Sequence, residues 1–541
     1  MHFFLQLWRC CCCCFRITWL LAVSLVSTAD CARILVFLCQ VARSHHIVLH
    51  PIIRALAERG HEVDYYTHAP LPNAPKNLNQ IQFPLSIENA MQVMEKIDLK
   101  EFVNMPITRA NLFHRQMKLL GNESTNACHE YSAVKELLAS DKKYDLVIGE
   151  FFFAQEEYTV LLHTFKAPGV AVSTVPDVSW LNEMSGLPDN PAYMGHFTVD
   201  TTQLDHFLSR LRNFCNNLAM KATDYFFLMT YYQWLADEWL VYEGWQSRPS
   251  ILQLSSNMSL ILTNSHHSLG FPYPRSPLVK EVLGTNVDQA PPPLPKDLQE
   301  YMDSAEHGIV YFSMGSIVSV KHLKAVGAFD ALAKSLSGLK QKVLWKWTAW
   351  NDEAMPSIPN IKMAKWMPQQ SILAHNKTKL FITHGGLGSL SEAVHHGVPI
   401  IGVPVFGDQF RNLKILSSTG FGVELVFDNL TDQSVSWAVN EVLNNPRYSI
   451  EASRRSKLFR DRPMKPVDEA VYWIEYVIKH GQVLQPASLK LSFYQLYLLD
   501  VIGCILAAIC LSIFSVRKLA KLAVSFLRKK APKKNLSKKT E

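Results

Sequence analysis

The stretch between Trp366 and Gln409 carries residue types suited to a phosphorylated ligand that contains a sugar. Glycines directly after a predicted strand let backbone N–H groups approach a phosphate, and the N-terminus of the following helix favours its charge. An exposed tryptophan can stack on a flat base, while carboxylate and amide side chains can bond sugar hydroxyls. The spacing therefore predicts a nucleotide-sugar site, with the candidate members Trp366, Gln369, His384, Gly388, Ser389, Glu392, Asp408 and Gln409.

A candidate general base lies near the N-terminus, in the loop predicted after the first strand. An acceptor hydroxyl has a high pKa and needs a base when it attacks a carbon atom, and histidine, with an ordinary pKa of about 6.5, is the usual one. His45 occupies this loop, and His46 and His50 lie close behind it. From these residues alone, the default interpretation of His45 is a loop histidine bonded to its neighbours.

Alternating strands and helices must position these side chains. In the first half, a helix is predicted over 47–59, after a loop that runs through Ser44. Such a pattern is typical of parallel, doubly wound sheets, which bind ligands at the carboxyl ends of their strands. We therefore predict an α/β fold of two facing halves with a cleft between them. The predicted strands are 34–38, 62–67, 144–150, 309–313, 343–347, 361–364, 380–383 and 400–404.

A proline-rich segment, 285–296, is predicted to be a stiff linker between domains at 30–284 and 297–490. Residues 223–246 are rich in aromatic side chains, but two acidic residues end their apolar run, which excludes a second membrane span. A buried helix and an interfacial or acceptor-lining helix both remain open for this segment.

Both ends of the chain carry targeting signals. Residues 1–29 combine basic residues with a short apolar run and small residues, which predicts a cleavable signal peptide. The apolar run 496–516 is long enough to span a bilayer as a helix, and the basic tail 517–541 predicts a cytosolic C-terminus and a luminal body. Lys538 and Lys539 resemble the dilysine retrieval signal of the endoplasmic reticulum, which predicts a type I protein of that membrane.

The formal net charge of +7 is not spread over the folded body. Residues 517–541 alone carry a net charge of +9, whereas 30–516 carry −4. A slightly acidic body argues against a nucleic-acid partner.

Cysteines and glycosylation sequons fit a luminal body. Of the 11 cysteines, the body holds Cys31, Cys39, Cys128 and Cys215, without the spacing of a zinc site, and their pairing stays open. The predicted topology makes four sequons available for glycosylation, although it does not tell which are used. They lie at Asn122, Asn257, Asn376 and Asn429.

These motifs together resemble the UDP-glycosyltransferase superfamily, the inverting enzymes of GT-B architecture that include the membrane-bound UDP-glucuronosyltransferases. The resemblance implies two facing Rossmann-like domains and one C-terminal transmembrane helix. It also implies transfer of glucose or glucuronic acid from a UDP-sugar to a hydroxyl of a small lipophilic acceptor, with membrane lipid and a second copy of the chain as further partners. The matching blocks are 44–45, 59–63, 293–296, 312–316, 366–409 and 471–476.

By this resemblance, His45 is the catalytic base and Glu150 is the carboxylate that orients it, at a position where the family has an aspartate. Asp145, at the start of the same predicted strand, is the rival carboxylate. Gly388 stands where many relatives have asparagine, so only its backbone N–H is left to donate. The resemblance assigns Trp366 to the uracil, Gln369 to the nucleoside, Ser316, His384 and Ser389 to the diphosphate, Glu392 to the ribose, and Asp408 and Gln409 to the sugar.

We expect neither a metal nor a cofactor, with the UDP-sugar as co-substrate. The chain contains no Asp-x-Asp pair of the kind that holds a divalent cation against a diphosphate. A helix N-terminus and backbone donors can stabilise the leaving group instead. Two other hypotheses are an inactive, ligand-binding relative and a nicotinamide oxidoreductase, although Ser391 stands where the third glycine of a dinucleotide fingerprint belongs.

Overall fold

The computed structural model describes residues 31–95, 127–152, 155–176, 179–195, 204–349 and 354–530. The chain forms two compact units, a body that ends at Pro486 and a C-terminal unit that begins at Ala487. The predicted signal peptide 1–29, the sequon at Asn122 and the lysines of the predicted retrieval signal lie outside the described residues.

The first half of the body contains a seven-stranded sheet whose neighbouring strands are all parallel. Its strands are β1 (Arg33–Leu38), β2 (Glu62–Thr67), β3 (Leu78–Gln82), β4 (Leu146–Gly149), β5 (Gly169–Ser173), β6 (Leu260–Thr263) and β7 (Val279–Glu281). β4, β5 and β6 are buried along their whole length, as expected when helices cover both faces of a parallel sheet. The order β3-β2-β1-β4-β5-β6-β7 reverses direction between β1 and β4, which opens a crevice at their carboxyl ends.

Nine helices are described around this sheet. Two of them, Phe207–Thr223 and Met229–Trp239, are connected by a short π-helical segment, Asp224–Leu228, into one continuous helix. They are α1 (Arg43–Glu58), α2 (Ile87–Met94), α3 (Ala127–Glu130), α4 (Ser132–Leu138), α5 (Val160–Phe165), α6 (Ser179–Met184), α7 (Phe207–Thr223), α8 (Met229–Trp239) and α9 (Ile251–Ser255).

The second half repeats this architecture with six parallel strands. They are β8 (Ile309–Ser313), β9 (Lys342–Lys346), β10 (Ile361–Ala364), β11 (Thr378–Thr383), β12 (Ile400–Gly402) and β13 (Gly422–Glu424). The order β10-β9-β8-β11-β12-β13 reverses between β8 and β11. Alternate residues of β8 enter opposite cores, since Phe312 packs in one and Tyr311 in the other. The predicted doubly wound α/β fold is thereby confirmed.

The helices of this half follow its strands and cover both faces of the sheet. They are α10 (Lys296–Asp303), α11 (Val320–Ala325), α12 (Ala328–Ser337), α13 (Gln369–Ala374), α14 (Leu387–His396), α15 (Gln409–Ser418), α16 (Asp432–Asn444) and α17 (Pro446–Arg460), and the body ends with a further helix, α18 (Pro466–His480).

The prediction of a loop through Ser44 is wrong, because α1 begins at Arg43. The apolar pattern that predicted the helix starts only at Ile47, and the preceding turn contains no apolar residue. This turn is stabilised by polar contacts instead, because His46 is fully buried and forms a hydrogen bond with the hydroxyl of Tyr65. His45 therefore lies in the first turn of a helix.

The last helix of the body, α18, leaves the second half and packs on the first. Val471, Ile474 and Val477 are fully buried in the core beneath β1. Glu475 also accepts a hydrogen bond from Arg59, at 2.9 Å. Periodicity indicates a buried helix face but not which sheet covers it, and the predicted extent of the second domain, 297–490, stays a prediction. The other domain boundaries stay predictions.

The C-terminal unit contains α19 (Phe493–Leu496) and α20 (Leu499–Lys530). α20 is long and apolar enough to cross a membrane, and it is the one such helix among the described residues. The predicted span 496–516 is interrupted at its start, where Leu498 adopts a left-handed backbone conformation with φ of 54°. α20 then continues into the basic segment after Val516.

Candidate active site

His45 and Glu150 lie together where the order of the first sheet reverses. α1 follows β1 and carries His45 in its first turn, while Glu150 directly follows β4. The Nδ1 atom of His45 lies 2.6 Å from Oε2 of Glu150, whose side chain is buried. The fold thus pairs the two predicted catalytic residues, which are 105 positions apart in the chain.

Thr174, directly after β5, contacts both members of this pair. Its hydroxyl lies 2.8 Å from Nδ1 of His45 and also donates to Oε1 of Glu150. Its backbone N–H donates to the same carboxylate oxygen at 3.3 Å, and its carbonyl accepts from Nδ2 of Asn264 at 2.9 Å. Glutamate is one methylene longer than the aspartate of the family pattern, and Thr174 fixes that longer side chain from two directions.

This geometry determines which imidazole nitrogen can act as a base. With Glu150 ionised, Nδ1–H of His45 donates to the carboxylate and Nε2 keeps its lone pair. When Nε2 takes a proton, the adjacent carboxylate stabilises the imidazolium and holds the ring in place. The arrangement can therefore deprotonate a hydroxyl group.

The alternative candidates for the base and its carboxylate, His46, His50 and Asp145, form structural hydrogen bonds instead. Both ring nitrogens of His46 are within hydrogen-bond distance of protein oxygens, and burial lowers its pKa to about 3. Nε2 of His50 lies 3.0 Å from the carbonyl of Ala69. Asp145 accepts a hydrogen bond from the backbone N–H of Arg33 at 2.7 Å, at the opposite end of the strand from Glu150.

The predicted diphosphate residues gather where the second sheet reverses. Ser316 lies in the turn after β8, His384 follows β11, and Ser389 lies in the first turn of α14. A Cβ atom on Gly315 or on Gly386 would lie 2.6 Å from the imidazole ring of His384, so both glycines are required by this close packing.

His384 is held as a neutral imidazole. Burial, followed by the charge of Lys346, lowers its pKa to about 4. Its Nδ1 atom has no hydrogen-bond partner among the described residues. A neutral ring with an unsatisfied nitrogen, placed beside helix N–H groups, suits contact with a polar ligand.

Glu392 lies at the centre of a hydrogen-bonded network. Nε2 of Gln369 donates to Oε2 of Glu392 at 2.6 Å and to the hydroxyl of Ser389 at 3.0 Å. Nδ2 of Asn286, from the predicted linker, lies 3.4 Å from Oε1 of Glu392 and from the carbonyl of Gly388. Burial raises the pKa of Glu392 to about 7, and these amide donors lower it only in part.

The two residues predicted to bind the sugar differ in the groups they have available. Burial raises the pKa of Asp408, and the hydrogen bond from Asn412, at 2.6 Å, and the charge of His45 in the opposite half lower it in part. The side-chain carbonyl oxygen of Gln409 accepts hydrogen bonds from the backbone N–H groups of Val405 and Phe406, in the loop after β12, so its amide nitrogen is the group left for a ligand. Trp366 is 68% exposed, as a residue that stacks on a base requires.

Three polar residues of the site were missed by the sequence interpretation. They are Thr174, Asn286 and Lys346, each at or just beyond the end of a strand or within the linker. Nζ of Lys346 lies 3.2 Å from the carbonyl of Gly315, and burial lowers its pKa. Lys346 could have been found, because a lysine that ends an apolar strand next to a predicted ligand loop is unusual.

A disulfide joins Cys39, next to the end of β1, to Cys128, with their Cα atoms 6.5 Å apart. Nε2 of His68 lies 3.5 Å from the sulfur of Cys128. The bridge resolves the pairing that spacing left open, while Cys31 and Cys215 are free. The predicted absence of a bound metal stays a prediction.

Solved structures share this architecture at low sequence identity. The glycosyltransferase of kitacinnamycin matches 84% of this chain and 100% of its own with a TM-score of 0.54 and 16% identity. A UDP-glucosyltransferase from Polygonum tinctorium matches 84% and 100% with a TM-score of 0.53 and 14% identity. These likenesses confirm the predicted GT-B fold.

Sequence comparison is more specific. UDP-glucosyltransferase 2 of Dactylopius coccus is 32% identical over 517 residues, 92% of this chain and 95% of the relative. UDP-glucuronosyltransferase 2B9 of Macaca fascicularis is 29% identical over 91% of this chain and 93% of its own. The profile of the UDPGT family, described as UDP-glucoronosyl and UDP-glucosyl transferase, matches residues 32–534. The chain therefore belongs to this family of UDP-glycosyltransferases.

Proposed function

We propose that the protein transfers glucose or glucuronic acid from a UDP-sugar to a hydroxyl of a small lipophilic acceptor, with inversion at the sugar carbon. The observation that carries this proposal is the His45–Glu150 pair, which lies within electrostatic range of Asp408 in the opposite half. One half thus supplies a base, and the other supplies a carboxylate that can bond sugar hydroxyls. This combination supports sugar transfer between the two halves.

The reaction uses the base and the helix N-terminus in one step. Nε2 of His45 takes the acceptor proton as the acceptor oxygen bonds to C1 of the sugar. The bond between C1 and the phosphate oxygen breaks, and its electron pair leaves with UDP. Backbone N–H groups at the start of α14, with Ser316 and Ser389, stabilise the negative charge that develops on the diphosphate.

The donor is oriented by the groups of the second half. Trp366 stacks on the uracil, and Gln369 contacts the nucleoside. The carboxylate of Glu392 accepts hydrogen bonds from the ribose, in exchange for those it now receives from Gln369 and Asn286. Asp408 and the amide nitrogen of Gln409 face the sugar hydroxyls.

The decisive experiment incubates membranes that contain the protein with UDP-glucose or UDP-glucuronic acid and a panel of phenols, followed by mass detection of products. A conjugate that carries one sugar and depends on one donor establishes both the reaction and the donor. Binding of the donor without any conjugate across the panel would instead favour the inactive, ligand-binding relative.

The protein is further proposed to be a type I glycoprotein of the endoplasmic reticulum with a luminal body, supported by the apolar α20 and the basic residues that follow its apolar part. Protease added to sealed microsomes should remove only the tail, and endoglycosidase H should shift the mobility of the chain. Changing Lys538 and Lys539 to serine should let part of the protein acquire resistant glycans. Digestion of the body in intact microsomes would refute this orientation.

A further inference from the structure

Helix α7 exposes five large apolar side chains and buries two asparagines. Phe207, Leu208, Leu211, Phe214 and Leu218, here called the apolar stripe, are 46–74% exposed. A helix on the surface of a globular protein normally shows the opposite pattern, with its apolar face toward the core.

Hydrogen bonds fix the helix in this orientation. Asn213 is fully buried, and its Nδ2 donates to the carbonyls of Pro191 and Met194 at 2.7 and 3.0 Å. Nδ2 of Asn217, one turn further, donates to the buried carboxyl group of Asp189 at 3.0 Å. Rotating α7 to bury the stripe would break all three bonds and expose their partners, so the exposed apolar face belongs to the fold.

The apolar stripe continues into an aromatic group. Phe207, Leu211, Phe214 and Leu218 recur every three to four residues, which places them along one side of the helix, and Leu208 lies next to Phe207. The π-helical segment that follows adds Tyr225, Phe226 and Phe227, all more than half exposed. Aromatic side chains at one end of an apolar helix face are typical of the boundary between lipid headgroups and acyl chains.

We propose that α7 lies flat on the luminal leaflet of the bilayer, with the apolar stripe and the aromatic group in the interfacial layer. This proposal rests on membrane attachment through α20. The body ends only 12 residues before that helix, a segment that spans at most about 40 Å when fully extended. This short connection keeps the body close to the bilayer, which can therefore cover the apolar stripe.

Charge favours lipid over a second protein. Within α7 there are three basic residues and no acidic residue, although the body as a whole is slightly acidic. Lys221 forms an ion pair with Glu183, and Arg210 donates to two backbone carbonyls, so the charge left to contact lipid is that of Arg212. Arg212 is exposed beside the stripe, where it can approach phosphate groups of lipids. Basic side chains along the edge of an apolar and aromatic face are characteristic of helices that lie in a membrane interface.

The proposal is tested with the full chain in vesicles of phosphatidylcholine and phosphatidylserine. In a background that keeps Cys39 and Cys128 as its sole cysteines, a nitroxide label is attached at Leu211→Cys or Leu218→Cys. The matched control is Ile450→Cys on α17, where the native side chain is 66% exposed among polar neighbours. Accessibility of each label to molecular oxygen and to a water-soluble nickel chelate is measured by electron paramagnetic resonance, and binding of UDP checks that each variant is folded.

Labels on the stripe should be at least about fivefold less accessible to nickel than the control label, and more accessible to oxygen, because the interfacial layer excludes the chelate. Nickel accessibility equal to that of the control would overturn the proposal. So would protection from both reagents that persists in lipid-free detergent solution, or a short distance between labels on two chains, since protein would then cover the stripe. Failure of the chain to float with the vesicles would overturn the anchor and the docking together.

Discussion

The two halves of the body place their functional residues at equivalent points of similar sheets, but they prepare them differently. In the first half, His45, Glu150 and Thr174 already contact one another, as the proposed proton transfer would require. In the second half, Glu392 is bonded to Gln369 and Asn286, through groups that we propose for the ligand. The predicted catalytic residues of the first half are therefore already in contact with one another. In the second half, protein side chains occupy the hydrogen-bonding positions that we propose for the donor.

This difference separates the expected kinetic effects. Removing a preorganised group lowers the rate of the chemical step, because its contribution is made in the transition state. Removing a group that must exchange partners changes donor binding in the ground state, and therefore KM. Substitutions in the two halves should divide accordingly between kcat and KM.

The largest effect is expected for His45→Ala. Loss of a general base lowers kcat by ~10²–10⁴, while UDP binding is retained because the base belongs to the acceptor side. Turnover with a phenol and UDP binding by calorimetry measure the two effects, and His50→Gln serves as the control. Retention of more than about a tenth of wild-type kcat would exclude His45 as the base.

A smaller loss is expected for Thr174→Val, which keeps the shape of the side chain and removes its hydroxyl. A hydrogen bond to a charged group contributes about 1.5–3 kcal/mol, so kcat should fall about 10- to 100-fold with little change in donor KM. Thr174→Ser restores the hydroxyl and should recover most of the rate. Equal losses in both variants would indicate a packing role instead.

Trp366→Ala tests the second half. Stacking of a base on an aromatic ring contributes about 1–3 kcal/mol, so donor KM should rise at least about fivefold, and more than kcat falls. Trp437, 57% exposed on α16, provides a matched control as Trp437→Ala. An unchanged donor KM would exclude stacking at Trp366.

The last prediction concerns pH, where the effect vanishes above neutral pH. Burial raises the pKa of Glu392 to about 7, so its carboxyl group is increasingly protonated as the pH falls below that value. If the ribose binds the carboxylate, the dissociation constant of UDP should rise by up to about tenfold per pH unit below 7. Calorimetry without acceptor measures this, and Glu392→Gln should flatten the profile. The pKa of His384, at about 4, lies below this range. A flat profile in the unaltered protein would contradict the role of Glu392.

The sequence predicted the bounds of a strand well where the residue pattern fits only one type of secondary structure. β8 and β10 have the predicted bounds, because each is an apolar or alternating run that ends at a polar or glycine-containing turn. The site residues of the second half follow their strands closely along the chain, so local order already places them near one another.

Features that depend on distant contacts were not predictable. The Cys39–Cys128 bridge spans 89 positions, and spacing does not determine such a pair. Thr174 and Asn286 are ordinary loop residues until the fold places Glu150 and Glu392 beside them. The start of α1 was missed because its first turn is stabilised by buried polar contacts rather than by apolar spacing.

The return of α18 to the first half has a consequence for biosynthesis. The core beneath β1 lacks Val471, Ile474 and Val477 until the ribosome has added nearly the whole body, so this half cannot close as an independent N-terminal domain during synthesis. Its apolar surface beside α1 stays open while the second half folds, and a chaperone that binds such surfaces has its longest opportunity there. A chain that stops before Pro466 should therefore be retained and degraded, even though every predicted catalytic and donor-binding residue has already been made.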